Sequence, residues 1–167
     1  MHDAHDPSDA CTSIHYRLAH VHTNVGSRAS DHPAYAADMA VSLFAVTLDC
    51  PDPGKLARFY EGFLGGQVHV ADDGHFAVLV IEGEVRLDFQ RADNPAPPGW
   101  PDPTAPLRHH LEFAIDEDPD EMERRLRELG ATVPAHQPDD DHFRVYVDPV
   151  GHLFCVAPRA NTHVRED

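Results

Sequence analysis

Residues 43–90 read LFAVTLDCPDPGKLARFYEGFLGGQVHVADDGHFAVLVIEGEVRLDFQ, and residues 109–157 read HHLEFAIDEDPDEMERRLRELGATVPAHQPDDDHFRVYVDPVGHLFCVA. The second stretch repeats the order of signals in the first, and that repetition decides the fold. In the first, residues 43–49 mix apolar and β-branched side chains as a strand does. Asp52 stands where a helix N-cap belongs and Pro53 at the first helical position. Leu56, Phe59, Tyr60, Phe63 and Leu64 recur at helical spacing, and Gly65-Gly66 closes the helix. Strands at 67–71, 75–81 and 85–90 follow, separated by the turns Asp72-Asp73-Gly74 and Glu82-Gly83-Glu84.

In the second stretch a strand at 110–116 leads to Asp118-Pro119 and a helix whose apolar stripe is Met122, Leu126 and Leu129. Gly130 ends it, and strands at 132–135, 143–148 and 152–157 are expected. The offset is 66 residues at Asp52/Asp118, 65 at Gly65/Gly130 and 67 at His75/His142. A nearly constant offset over a whole supersecondary unit marks a duplication. Four strands and one helix cannot bury their own sheet, so the two units must pair. The expected fold class is α+β: two tandem βαβββ modules, 43–90 and 109–157, forming a curved mixed sheet with a cup between them.

These modules define a single domain over 41–159. Residues 1–40 hold six of the 14 histidines and show neither helical nor strand period, which reads as a disordered His-rich tail. Met39-Ala40-Val41-Ser42 directly precedes the first strand, and Met39 is read as the start of the functional protein. The Pro-rich linker 91–107 around Trp100 is extended and stiff, and 160–167 form a short C-terminal tail.

Composition narrows the function classes. The formal charge of −16 opposes nucleic acid phosphates and anionic lipid surfaces. The densest basic run, Arg124-Arg125-Leu126-Arg127, is interleaved with Glu121, Glu123 and Glu128 and reads as a solvated helix face. No apolar run is long enough to span a membrane, and the polar, acidic N-terminus lacks the layout of a secretory signal. Cys11, Cys50 and Cys155 are odd in number and far apart, which argues for a reducing, cytoplasmic setting.

Several stretches in their order and spacing resemble the vicinal oxygen chelate superfamily, and within it the glyoxalase-like domain proteins. They are Thr47-Leu48-Asp49-Cys50-Pro51-Asp52-Pro53, Leu56-Ala57-Arg58-Phe59-Tyr60, Phe63-Leu64-Gly65-Gly66, His110-Leu111-Glu112-Phe113, Leu129-Gly130-Ala131-Thr132-Val133 and Asp148-Pro149-Val150-Gly151-His152-Leu153-Phe154-Cys155. The superfamily includes glyoxalase I, bleomycin-resistance proteins and extradiol dioxygenases. The resemblance implies that each module curls into a half-cup, that two modules enclose a small molecule, and that the protein is a homodimer.

Alternation sorts the side chains of the strand at His110. Leu111, Phe113 and Ile115 form an apolar row under the helix, while His110, Glu112 and Ala114 face the cup. By the repeat, Ala45 and Thr47 take the matching inward places in the first module, Asp88 aligns with Cys155, and Arg86 with Leu153. The resemblance puts metal ligands at Ala45, Asp88, His110 and Cys155. Ala45 has no donor atom, and a thiolate at Cys155 favours zinc or copper over Mg²⁺ or Mn²⁺. The standard metal site is therefore not expected, and no cofactor is assigned.

Three readings of the site stay open. Asp88, His110 and Cys155 would make a three-ligand zinc site with an open position. Alternatively, His110 is a hydrogen-bonded pocket histidine and Cys155 a small buried hydrophobe. In the third reading His110 and Glu112 are a catalytic proton-transfer pair about 7 Å apart, one on each side of a ligand. Thr47, Arg86, Asp88, Trp100 and Cys155 are the candidate ligand-binding residues, Trp100 either as a lid over the cup or as an anchor for the linker. His75 and His142 are read as exposed strand starts. The functions in play are small-molecule binding with a preference for cationic or amine-bearing guests, a metal-dependent lyase, isomerase or dioxygenase centred on His110, and an assembly domain whose cup is self-filled.

Overall fold

The structure, a computed structural model, describes residues 41–93, 98–102, 104 and 107–162. The expectations for the tail 1–40, the start at Met39 and parts of the linker and C-terminal tail lie outside the described residues. The first module runs β1 (Ala45–Cys50), α1 (Pro53–Leu64), β2 (Gln67–Val70), β3 (Phe76–Val80) and β4 (Arg86–Arg91). The second runs β5 (Leu111–Ile115), α2 (Pro119–Leu129), β6 (Arg144–Val147) and β7 (Leu153–Pro158), followed by a 3₁₀ turn at Arg159–Asn161.

Helix boundaries follow local chemistry. The Asp52 carboxylate accepts from the Lys55 N–H at 3.0 Å, and the Asp118 carboxylate accepts from Asp120 and Glu121, each satisfying N–H groups that a first turn leaves unpaired. Gly130 ends α2 at φ 107°, in the left-handed region that favours glycine. Gly62 serves a different need. A Cβ there would stand 2.5 Å from a Leu129 methyl, so the glycine lets α1 and α2 approach closely.

Each module builds its own mixed sheet, of order β1-β4-β3-β2 in the first and β5-β7-β6 in the second. In both, the first strand pairs in parallel with the last, and the remaining pairs are antiparallel. The two tandem modules and their mixed sheets are as expected, but the strand expected at 132–135 shrinks to one bridge, Thr132↔Val147. Two local causes are visible. Pro134 has no N–H to donate. The Gln137 side chain takes both backbone groups of Val145, accepting its N–H at 2.8 Å and donating to its carbonyl at 2.9 Å, where a fourth strand would have paired.

The core joins the modules. Phe59, Tyr60 and Phe63 of α1 lie against Phe154 of β7, with Phe63 and Phe154 stacked at 5.8 Å between centroids. Phe113 and Tyr146 complete this aromatic group from the second sheet. One buried cluster therefore contains Leu56, Leu79 and Phe89 together with Met122, Leu126 and Val156. Within it the Tyr60 hydroxyl donates to Asp148 Oδ2 at 3.1 Å, both residues being buried. Asp148 Oδ1 accepts from the N–H groups of Val150 and His152, and the His152 ring bonds the Asp49 carbonyl at 2.8 Å.

Tyr60→Phe keeps the ring packing and removes one donor from a buried carboxylate, a type of bond worth about 1.5–3 kcal/mol. Urea unfolding of this variant is expected to show a loss of that size with an unchanged m-value. A loss near zero would mean that the bond contributes nothing to joining the modules.

Candidate functional site

Strand register determines which side chains share a face. In the first sheet Thr47 pairs with Asp88, and Asp88 with Val78. In the second, Glu112 pairs with Cys155, and Cys155 with Val145. Thr47/Asp88 and Glu112/Cys155 therefore occupy equivalent places in the repeat. The partners of these rows, Leu48/Phe89 and Leu111/Phe154, belong to the shared core. The faces carrying the candidate residues are left for chemistry.

The second sheet gathers His110, Glu112 and Cys155, whose ligand atoms all lie within 4.8 Å of one another. His110 Nε2 and Glu112 Oε1 are in hydrogen-bond contact at 3.1 Å. This corrects the expected separation of about 7 Å across a ligand, which is a backbone spacing. Both side chains are long enough to lean together. Cys155 is buried, and burial first, then the charge of Glu112, pushes its thiol up to about 11. Next to this group lies a hollow of about 380 Å³ lined by Glu112, Ala114, Phe143 and Cys155 and by His142, Asn161 and Thr162.

Asp88 is not part of this group. Its carboxylate is buried in the first sheet and accepts twice from Arg86, at 2.6 Å from Nε and 2.7 Å from Nη2, while that guanidinium lies 5.1 Å over the Phe44 ring. The His/carboxylate/thiol set assembled by the fold has Glu112 in the place the sequence reading gave to Asp88. Thr47 is exposed on β1 beside Asp88, and Ala45 carries no donor. Neither of the hollows that include Glu112 is lined by Thr47, Arg86 or Asp88.

Trp100 packs with Leu107 and Phe143 on Val145, Leu153 and Cys155, so it anchors the linker on the second sheet. Its other side, 5.2 Å from the His136 ring, lines a separate apolar hollow of about 360 Å³ with Pro98, Pro101 and Pro134. His75 and His142 are exposed, as expected, and His142 also bonds Asp139 at 2.8 Å. Sequence reasoning missed Asn161 and Thr162, which it placed in a tail, and the buried Tyr60–Asp148 pair, which looked like a helix-stripe aromatic and a strand end. The Asp148-Pro149-Val150-Gly151 turn was the one available signal for Asp148, since Asp at such a turn caps the backbone ahead of it.

The sequence profile of the Glyoxalase-like domain matches residues 45–157. The chain belongs to that family, and so to the vicinal oxygen chelate superfamily of glyoxalases, bleomycin-resistance proteins and dioxygenases. Among solved structures it is similar to the fosfomycin resistance protein FosX of Listeria monocytogenes (19% identity, 72% of this chain and 92% of that one, TM-score 0.56). It is similar also to a glyoxalase/bleomycin resistance protein/dioxygenase family enzyme from Burkholderia phytofirmans (16%, 71% and 98%, 0.55). The oxidase ChaP-H1 shares 26% identity over 74% of this chain and 100% of its own, with a TM-score of 0.51. No curated protein matches.

The buried thiols predict an alkaline limit to stability. Burial first, then the charges of Asp148, Asp52 and Asp49, raise Cys50 from 9.0 to about 12. Both folded-state values lie above the unfolded one, so this contribution is complete below about pH 9 and is lost as pH rises toward 11–12. Denaturation midpoints should fall over that window, and Cys50→Ala should flatten the slope. Iodoacetamide should alkylate native Cys155 at pH 8 about a hundredfold more slowly than an ordinary thiol, from the smaller thiolate fraction alone. Alkylation at the rate of a free thiol would contradict the burial argument.

Proposed function

We propose that the protein binds a small, amine-bearing molecule on the face of its second sheet turned away from the shared core, without the superfamily's standard four-position metal site. The observation that carries the reading is the pair of hydrogen bonds that Arg86 donates to Asp88. It commits both oxygens of the carboxylate that would otherwise be a ligand, while Ala45 offers no donor at all. That standard donor set does not fit a metal. What remains is a hollow of ligand size whose polar lining is Glu112, His142, Asn161 and Thr162 beside the buried Cys155 and the Phe143 ring, with His110 bonded to Glu112 at its edge. Such a site, with apolar walls and several convergent polar groups, suits a small molecule, and Glu112 gives it a preference for positive charge. The related FosX protein was captured with Mn(II) and 1S,2S-dihydroxypropylphosphonic acid, so this scaffold holds small molecules elsewhere.

β1 and β5 are edge strands of their sheets, and Val41, Leu43 and Phe44 beside β1 are exposed, which supports a homodimer. Free, buried Cys50 and Cys155 support a reducing, cytoplasmic setting. Among the described residues no helix is long and apolar enough to cross a membrane.

A second reading has one observation in its favour. One imidazole, one carboxylate and one thiol within 4.8 Å form a three-donor set of the kind zinc accepts, with a fourth position open. Zinc there would polarise a bound oxygen, and His110 would have to release Glu112 to bind it.

Thermal-shift titration with small primary and quaternary amines separates the readings. Saturable stabilisation of metal-free protein, abolished in Glu112→Gln, is expected. Elemental analysis showing one zinc per chain, lost in His110→Ala, would replace the first reading with the second. Equal stabilisation of wild type and Glu112→Gln would sink the proposed site.

A further inference from the structure

A larger hollow, about 660 Å³, opens between the end of the β3–β4 hairpin and β5. Its floor is the exposed margin of the joint core, drawn from Val46 and Leu87 of the first sheet, Phe63 and Leu64 of α1, and Leu111 and Phe113 of the second sheet. Its rim carries Glu82, Glu84, Glu112, Asp116 and Glu117 against a single cation, Arg159. Arg159 is held by Asp116 at 2.9 Å, Glu117 is paired with Arg125, and Glu112 with His110. Among the described residues, the Glu82 and Glu84 side chains have no hydrogen-bond or ion-pair partner.

We infer that this cleft is a second binding site, and that its ligand is a lipophilic organic cation with a broad apolar body and one delocalised or quaternary positive charge. Each part of the lining excludes an alternative. An anion would face five carboxylates on a chain of formal charge −16. A small hydrated cation would leave the apolar floor wet and gain nothing from it. A delocalised cation sheds its weakly held water at little cost, covers the floor, and supplies charge to the two unpaired carboxylates. The volume falls within the range of small-molecule sites. The inference goes beyond the site proposed above, with which the cleft shares Glu112 but not Cys155.

Two xanthene dyes of similar ring system and opposite charge test it: cationic rhodamine 6G and anionic fluorescein, followed by fluorescence anisotropy on the full chain. Saturable binding of rhodamine 6G and none of fluorescein is expected. Glu82 and Glu84 sit on an exposed turn, so Glu82→Gln/Glu84→Gln should fold normally by circular dichroism. It should weaken rhodamine 6G binding by about tenfold through loss of two partly screened charges. Val85→Arg, at the mouth of the same cleft, should abolish binding. Undiminished affinity in either variant overturns the inference, as does a lack of saturable binding by wild type. Loss of dye binding in Cys155→Ala would place the dye in the other hollow and also overturn it, while leaving the amine-binding proposal standing.

Discussion

The aromatic stripe of α1 pressed against β7 is the contact on which the rest of the molecule depends. Phe59, Tyr60 and Phe63 belong to the first module by sequence, yet they meet Phe154 and Phe113 of the second. Neither sheet alone offers enough apolar area to offset the entropy of ordering its chain. Joined through this stripe, the two share one core and can both be stable. The Tyr60–Asp148 bond and the His152 bond to the Asp49 carbonyl sit at the same junction and set its register.

Because the helix-side faces are consumed by the core, chemistry is left to the opposite faces and to the seam. There the decisive factor is which carboxylates already have partners. Asp88 is neutralised by Arg86 within its own strand, two residues away on one face. Glu112 is shared with His110 by the same two-residue spacing. Glu82 and Glu84, at a turn, form no ion pair among the described residues. On a strongly acidic chain these local pairings separate carboxylates that serve the structure from those that can serve a ligand.

The duplication, both helices with their caps, and the faces of β5 were legible in the sequence, because each depends on residues a few positions apart. The strand expected at 132–135 was not, since its loss turns on Gln137 reaching the backbone of Val145, eight residues away. The site was half legible. His110, Glu112 and Cys155 were named as candidates from alternation, the repeat and the family resemblance, but alternation reports backbone spacing and says nothing of side chains leaning together, so the His110–Glu112 contact was missed. Arg86 and Asp88 were each named, yet their mutual bond depends on rotamers.

By itself, then, the order of residues determined two βαβββ units, their boundaries and the face on which each side chain lies, because strand and helix periods are local properties of the chain. Only the tertiary structure decided that the second sheet stops at three strands, that Glu112 rather than Asp88 joins His110 and Cys155, and that an acid-rimmed cleft opens at the seam. Those outcomes depend on distances between residues far apart in sequence, and such distances exist only once the shared core has packed.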